Sequence, residues 1–306
     1  MSDGRVQARI GIALRDPLPW HQLVLTAELA ERTGYEALFV PEIAGREAFA
    51  TMAGFARATT RMKLGSGVIP SRSRQPHTLA MGAMTVQELA YGRFILGLGA
   101  APGPGALGRI EALIAFLREI FAGRDANPPE AKSQFHPTFS TSPAPPIWLA
   151  ALGPKMMETA GRIADGVLLN WCSPERVAEA RVRIRAGAEA AGRDPDSIPI
   201  AVYIRSCVGQ EEQLAEAALG DAAREYLAIP HYRAAFESAG FDVSKSLEVA
   251  RATCILGDAA SANVQLTAFR DAGADLPVIY PVPVLEPASS IDGTILGLAP
   301  DPASAR

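Results

Sequence analysis

Residues Leu64 to Gly99 read LGSGVIPSRSRQPHTLAMGAMTVQELAYGRFILGLG, and this stretch carries most of the information about the fold. It begins with an apolar run ending in Gly-Ser-Gly, continues through a basic loop and a helical segment, and closes on a short strand ending Gly97-Leu98-Gly99. Glycine lets another group approach the main chain closely. Two successive buried strands that end in small residues therefore predict room for a flat ligand.

Strand-like and helix-like segments alternate along the whole chain. The candidate strands are rich in Val, Ile and Leu without clean alternation, which is typical of parallel strands buried on both faces. They are Arg9–Leu14, Ala37–Pro41, Met62–Val68, Phe94–Leu98, Pro146–Ala151, Gly166–Asn170, Ile198–Ile204 and Leu276–Tyr280. The intervening amphipathic segments are Gln22–Thr33, Glu47–Thr60, Pro76–Ala90, Ala106–Phe121, Pro154–Ile163, Pro174–Ala191 and Ser261–Ala272. The alternation predicts a closed (β/α)8 TIM barrel rather than a doubly wound sheet.

Two segments interrupt this alternation. Residues 123–145 are rich in Pro and Ser and predict a long loop between the fourth helix and the fifth strand. Residues 210–254 contain more helix than one barrel unit needs, which predicts an inserted helical segment between strands 7 and 8. We expect residues 1–306 to form a single barrel domain that carries these two insertions.

Composition and motifs exclude several classes of protein. The net charge is −4 with both signs mixed, so we expect no nucleic-acid or membrane partner. No apolar run approaches the roughly 20 residues that span a bilayer. The three widely spaced cysteines and the absence of a signal-peptide pattern indicate a cytoplasmic protein, and the excess of Arg over Lys suggests a bacterial genome. The histidines lack metal-ligand spacing, and no hydrolase elbow or Walker motif is present.

Strand ends are where barrel enzymes place their chemistry. After the fifth strand, Leu152-Gly153-Pro154-Lys155 leads into a helix whose exposed amides, with Lys155 beside them, are a candidate phosphate site. The alternative is an ordinary turn with a solvent lysine. Glu42 is a lone carboxylate after the second strand and a candidate catalytic group, or else the partner of a nearby arginine. The GLGAAPG segment at 97–103 lacks the spacing of a dinucleotide fingerprint.

The chain resembles the luciferase-like monooxygenases. The GSGVIP strand end, the GRFILGLG strand, the LAALGPKM turn and the C-terminal YPVPVLEPASSIDGTILGLAP carry this resemblance, which is strongest with the deazaflavin-dependent branch. It implies an oxidoreductase that transfers a hydride between coenzyme F420 and a small organic substrate. A monooxygenase using reduced FMN and oxygen, and a barrel that binds a cofactor without turnover, remain the alternatives. A homodimer partner and a separate cofactor reductase are further candidates.

The resemblance also implies roles for individual residues. It places a cis peptide bond at Gly67-Val68, in a bulge that supports the cofactor ring. Ile43 stands where some relatives have a histidine after the acidic residue, so no general base is transferred to this chain. Apart from the resemblance, three residues near the predicted barrel mouth are candidates for the substrate pocket, His21, His77 and Arg72, and the alternative is that they are polar surface groups. Arg72 shares a basic loop with Arg74. The expected cofactor-binding residues are Ser66, Gly67, Val68, Gly99, Ala100, Leu152, Gly153, Pro154, Lys155, Asn170 and Trp171.

Overall fold

A computed structural model describes residues 9–15, 18–129 and 133–300. Its strands are β1 (Gly11–Ala13), β2 (Ala37–Val40), β3 (Lys63–Ser66), β4 (Ile69–Pro70), β5 (Phe94–Gly99), β6 (Ile147–Ala150), β7 (Gly166–Asn170), β8 (Ile200–Val208), β9 (Ile255–Gly257) and β10 (Leu276–Pro281). Its helices are α1 (Trp20–Arg32), α2 (Ala48–Ala58), α3 (Pro76–Leu89), α4 (Ala106–Phe121), α5 (Pro154–Ile163), α6 (Pro174–Ala190), α7 (Glu212–Leu227), α8 (Pro230–Ser238), α9 (Ser246–Thr253), α10 (Ala259–Asp271) and α11 (Pro287–Gly297).

Eight parallel strands close into a barrel, as the sequence predicts. The order is β1, β2, β3, β5, β6, β7, β8 and β10, and β10 pairs with both β8 and β1 to complete the ring. Side chains inside the ring form one cluster, which includes Phe39, Trp148 and Tyr203. A larger apolar cluster fills the layer between the strands and the helices. The (β/α)8 fold is therefore confirmed.

Local signals explain why the helices begin and end where they do. Ser173 caps α6 by accepting a bond from the amide of Arg176, and Pro174 occupies the first turn. Gly34 and Gly273 follow α1 and α10 with φ of 91° and 105°, a conformation that glycine adopts without strain. The ends of these helices are therefore encoded by single residues of the sequence.

The structure differs from the sequence-based expectation at four places. The expected strand Met62–Val68 is divided into β3 and β4. Strand β8 extends to Val208, so Arg205 lies within a strand instead of following it. The expected insertion contains α7, α8 and α9, but it also leads into the short strand β9, which the sequence did not reveal. Helix α11 was not expected. The described part of 123–145 is a loop with a single bridge between Ala126 and Phe135.

Candidate active site

Two large cavities open at the carboxyl ends of the barrel strands. The first, here called the bulge cavity, has a volume of about 650 Å³ and lies over β4 to β7 beneath α8. The second, here called the arginine cavity, has about 620 Å³ and lies over β8, β10, β1 and β2 beside α7. The bulge cavity brings together seven of the expected cofactor-binding residues: Val68, Gly99, Ala100, Leu152, Gly153, Pro154 and Asn170.

The bulge is the pair Gly67-Val68, which separates β3 from β4. The Gly67-Val68 peptide bond there is cis, so that prediction is confirmed. The buried hydroxyl of Ser66 donates to the Gly97 carbonyl at 3.0 Å and accepts from the Gly97 amide at 2.9 Å. Gly67 lies against Tyr203 and Phe39 inside the barrel. Ser66 therefore fastens the bulge to β5, Gly67 packs against the barrel interior, and Val68 lines the cavity.

Small residues form much of the wall of the bulge cavity. Gly99 ends β5 and Ala100 follows it, Ala150 ends β6 and Ala151 follows it, and Gly153 precedes Pro154 at the start of α5. A Cβ built on Gly153 would meet no heavy atom within 4 Å, so the space beside its main chain is open. Pro154 has no N–H, and the Met156 and Met157 amides donate to the Gly153 carbonyl, so in this first turn the Lys155 amide is the one left for a ligand. A free amide at a helix start beside an uncrowded glycine can accept a phosphate. The wall therefore fits a flat cofactor with an anionic tail.

Arg176, not Lys155, is the cation in the wall of this cavity. Its side chain is 10% exposed, forms an ion pair with Glu179 and donates to the Leu152 carbonyl at 3.1 Å. Lys155 is exposed in the first turn of α5, outside the described wall. The sequence did not single out Arg176 because it belongs to α6 and reaches the turn before α5 only through tertiary folding.

The side chains of Asn170 and Trp171 lie in different surroundings although the two residues are adjacent in the chain. The Asn170 side chain lines the bulge cavity and donates to the Tyr232 hydroxyl at 2.7 Å. Trp171 is 4% exposed and packs in the apolar cluster formed with α7, α8 and α9. The structure therefore does not bring Trp171 into the described wall of the bulge cavity.

Arg205 is the buried charged residue in the described wall of the arginine cavity. It is 3% exposed, and its guanidinium carbon lies 4.5 Å from the ring centre of Trp171, 4.8 Å from that of Tyr226 and 4.5 Å from that of Tyr280. Its Nη2 donates to the Tyr226 hydroxyl at 3.0 Å, and its Nη1 donates to Oδ1 of Asn170. Asn170 thus connects the two cavities. The sequence placed Arg205 near a strand end but offered no sign of these ring partners.

Glu42 is held in an ion pair. Its carboxylate accepts from Arg74 at 2.6 and 2.5 Å and from the Ala48 amide at 2.9 Å. Partial burial opposes its ionisation, but the bonds from Arg74 and Ala48 prevail and lower the pKa of Glu42 below its ordinary value. A carboxylate that stays ionised at neutral pH anchors the start of α2 and has no proton to donate.

The three residues expected in a substrate pocket lie outside the described walls of both cavities. His21 and Arg72 are exposed, and His77 stacks on Phe135 with ring centres 5.9 Å apart. Arg74, the other arginine of the basic loop, is bound to Glu42 and Glu47. Within the described residues, no group of His, Cys, Asp and Glu could hold a metal, and no helix is long and apolar enough to cross a membrane.

Comparisons with known proteins agree with the barrel fold. The family model described as luciferase-like monooxygenase matches residues 5–276. The chain belongs to the luciferase-like monooxygenase family. It is 31% identical over 208 residues to the 5,10-methylenetetrahydromethanopterin reductase of Methanolobus tindarius, a match that covers 62% of each chain. The chain therefore spans less than two thirds of the length of that relative.

Solved structures of similar fold include a dehydrogenase and a monooxygenase. An F420-dependent secondary alcohol dehydrogenase, solved with an F420–acetone adduct, has a TM-score of 0.80 at 16% identity and covers 98% of this chain and 99% of its own. The monooxygenase RslO1 from Streptomyces bottropensis has a TM-score of 0.74 at 21% identity and covers 95% and 97%. These structures show that the fold of this luciferase-like protein is shared by enzymes of both kinds.

Burial of the three cysteines of this luciferase-like protein predicts that their thiols react slowly with alkylating reagents. Cys172, Cys207 and Cys254 are buried and unpaired, and burial raises the pKa of each thiol to about 12. At pH 8 we expect iodoacetamide to alkylate the native protein at least roughly a hundredfold more slowly than the protein in urea, because the thiolate is the nucleophile. Mass spectrometry at timed intervals measures both rates. Rapid modification of a single native cysteine would contradict this environment.

Proposed function

We propose that this protein transfers a hydride between coenzyme F420 and a small organic substrate. The observation that carries the proposal is the bulge cavity, where a main-chain bulge, a wall of small residues and the start of α5 meet. The similar F420-dependent secondary alcohol dehydrogenase supports the choice of cofactor, and the methylenetetrahydromethanopterin reductase, named for a reduction, supports the class of reaction. We also propose a cytoplasmic location, in keeping with the unpaired cysteines.

Different residues of the bulge cavity would contact the ring and the phosphate of the cofactor. Val68, on the bulge, would support the ring, and Ser66 keeps the bulge attached to β5. The main chain at Gly153 and the Lys155 amide would receive the phosphate, with the Arg176 guanidinium near them. When bound, F420 supplies the hydride-carrying carbon, and the chain supplies position and a partly enclosed site.

The runner-up function is that of a monooxygenase using reduced FMN and oxygen. The family description and the similar RslO1 fold favour keeping it as the second candidate. Both cofactors offer a tricyclic ring and a phosphate, so the wall of the bulge cavity alone does not separate them. A barrel that binds a cofactor without turnover is the third possibility.

Cofactor affinity decides among these functions. We expect F420 to bind the purified protein at least roughly tenfold more tightly than FMN, measured by fluorescence titration of oxidised cofactors at matched ionic strength. Tighter binding of FMN would support the monooxygenase and contradict the proposal. Binding of F420 without any hydride exchange across a panel of ketones, alcohols and imines would favour the non-catalytic barrel.

A further inference from the structure

Arg205 is a buried cation for which the described part of the chain provides no carboxylate partner. Ion pairs join many other arginines of this protein to Asp or Glu, but Arg205 has only a neutral amide and a neutral hydroxyl as hydrogen-bond acceptors. Taking a guanidinium out of water is costly unless it is paired. Three aromatic faces offset part of this cost through cation–π contacts. They carry no negative charge and leave N–H donors unused.

The side chain of Arg205 is buried but borders a cavity. Arg205, Tyr226 and Tyr280 line the arginine cavity, so the guanidinium borders a space large enough for an organic molecule. Three other charged groups border the same cavity: Arg15, Asp221 and Glu225, all of them exposed at its mouth. Asp221 is bound to Arg224 at 2.6 Å. Of the charged groups in the described wall, Arg205 is the one that is buried.

We propose that the arginine cavity is the substrate site and that the substrate carries an oxyanion, a carboxylate or a phosphate ester, which pairs with Arg205. A guanidinium presents parallel N–H donors that match the two oxygens of such a group. The largely apolar wall around it suits an organic body. This inference rests on the proposed function, because Asn170 joins Arg205 to the cavity where we place F420.

A purely structural role for Arg205 makes a different prediction. Arg205 connects β8 to β7 through Asn170 and to α7 through Tyr226, so it could serve only to fasten the inserted helices. In that case its replacement would lower stability without creating or removing any preference between charged and neutral ligands. The discriminating measurement is therefore a ligand preference within one protein, which global stability does not alter.

The probes are benzoate and phenyl phosphate, with benzamide as the neutral analogue of benzoate. We expect the wild-type protein to bind both anions at least roughly tenfold more tightly than benzamide in calorimetric titrations, as a charge-assisted hydrogen bond would give. Arg205→Met should abolish the preference, and Arg205→Lys should reduce it because it keeps the charge without the fork. Arg251→Met, which removes an exposed arginine of α9 paired with Glu216, is the matched control and should keep it.

Each outcome has a defined meaning. Equal wild-type affinities for benzoate and benzamide would overturn the inference, whether or not Arg205→Met folds. A preference that survives Arg205→Met but disappears in Arg15→Gln would put the anion at the mouth of the cavity and also overturn it. F420 affinity of the wild-type protein tests the proposed function separately. A wild-type protein that prefers anions but does not bind F420 contradicts that function, and one that binds F420 but shows no anion preference contradicts this inference.

Discussion

Gly153→Val should weaken F420 binding by more than roughly a hundredfold while leaving the fold intact. The added side chain would fill the space beside the start of α5, where a Cβ on Gly153 would have no heavy atom within 4 Å. Gly153 has φ −101° and ψ 161°, an extended conformation that valine adopts readily. The substitution therefore costs the free protein little and acts on the ligand, at about 1.4 kcal/mol for each tenfold loss.

The matched control for this substitution is Gly108→Val. Gly108 lies on the exposed side of α4, and its added Cβ would likewise meet nothing within 4 Å. Fluorescence titration with F420 compares the two variants, and circular dichroism confirms that both are folded. We expect Gly108→Val to bind F420 as the wild type does. Wild-type affinity in Gly153→Val would mean that the cofactor does not approach this turn, and the assignment of the bulge cavity would fail.

The barrel could be predicted from the sequence because its signals are local. Each strand is a short apolar run, and several helices begin at a proline or end before a glycine, as Pro76, Pro154 and Gly34 show. Strand β8 was underestimated because nothing in the sequence marks its end: it continues past Arg205, a charged residue that only tertiary contacts bury. Helix α11 lacked a clear amphipathic pattern.

The site was predicted only where main-chain geometry decides it. The Gly153 turn follows from the residues themselves, whereas the bulge was expected only from the family resemblance, and both lie at the bulge cavity. Side-chain partners could not be inferred, since they join residues far apart in the chain: Glu42 with Arg74, and Arg205 with Trp171, Tyr226 and Tyr280. No pattern in a single sequence reports such contacts, so Lys155 stood out and Arg176 did not.

Gly97 is a glycine that the packing of the strands requires, although the sequence suggested a role in making room for a ligand. The glycines that end β5 predicted space for a ligand, and Gly99 does line the bulge cavity. A Cβ on Gly97, however, would collide with the main-chain carbonyl of Ser66 and come within 2.9 Å of Cδ1 of Leu168. The missing side chain is therefore required by the packing of β3 against β5, which sets the position of the bulge.

Gly97→Ala should consequently destabilise the protein by about 3 kcal/mol or more, the upper range for overpacking a core. The colliding atom belongs to the main chain, and moving it away would break the two bonds between the Ser66 hydroxyl and Gly97. Urea denaturation measures the free energy of unfolding. Gly108→Ala, an exposed helical control, should raise that free energy by up to about 1 kcal/mol. If Gly97→Ala were as stable as this control, β3 and the bulge would have room to shift. The rigid support that we assign to the cofactor ring would then be wrong.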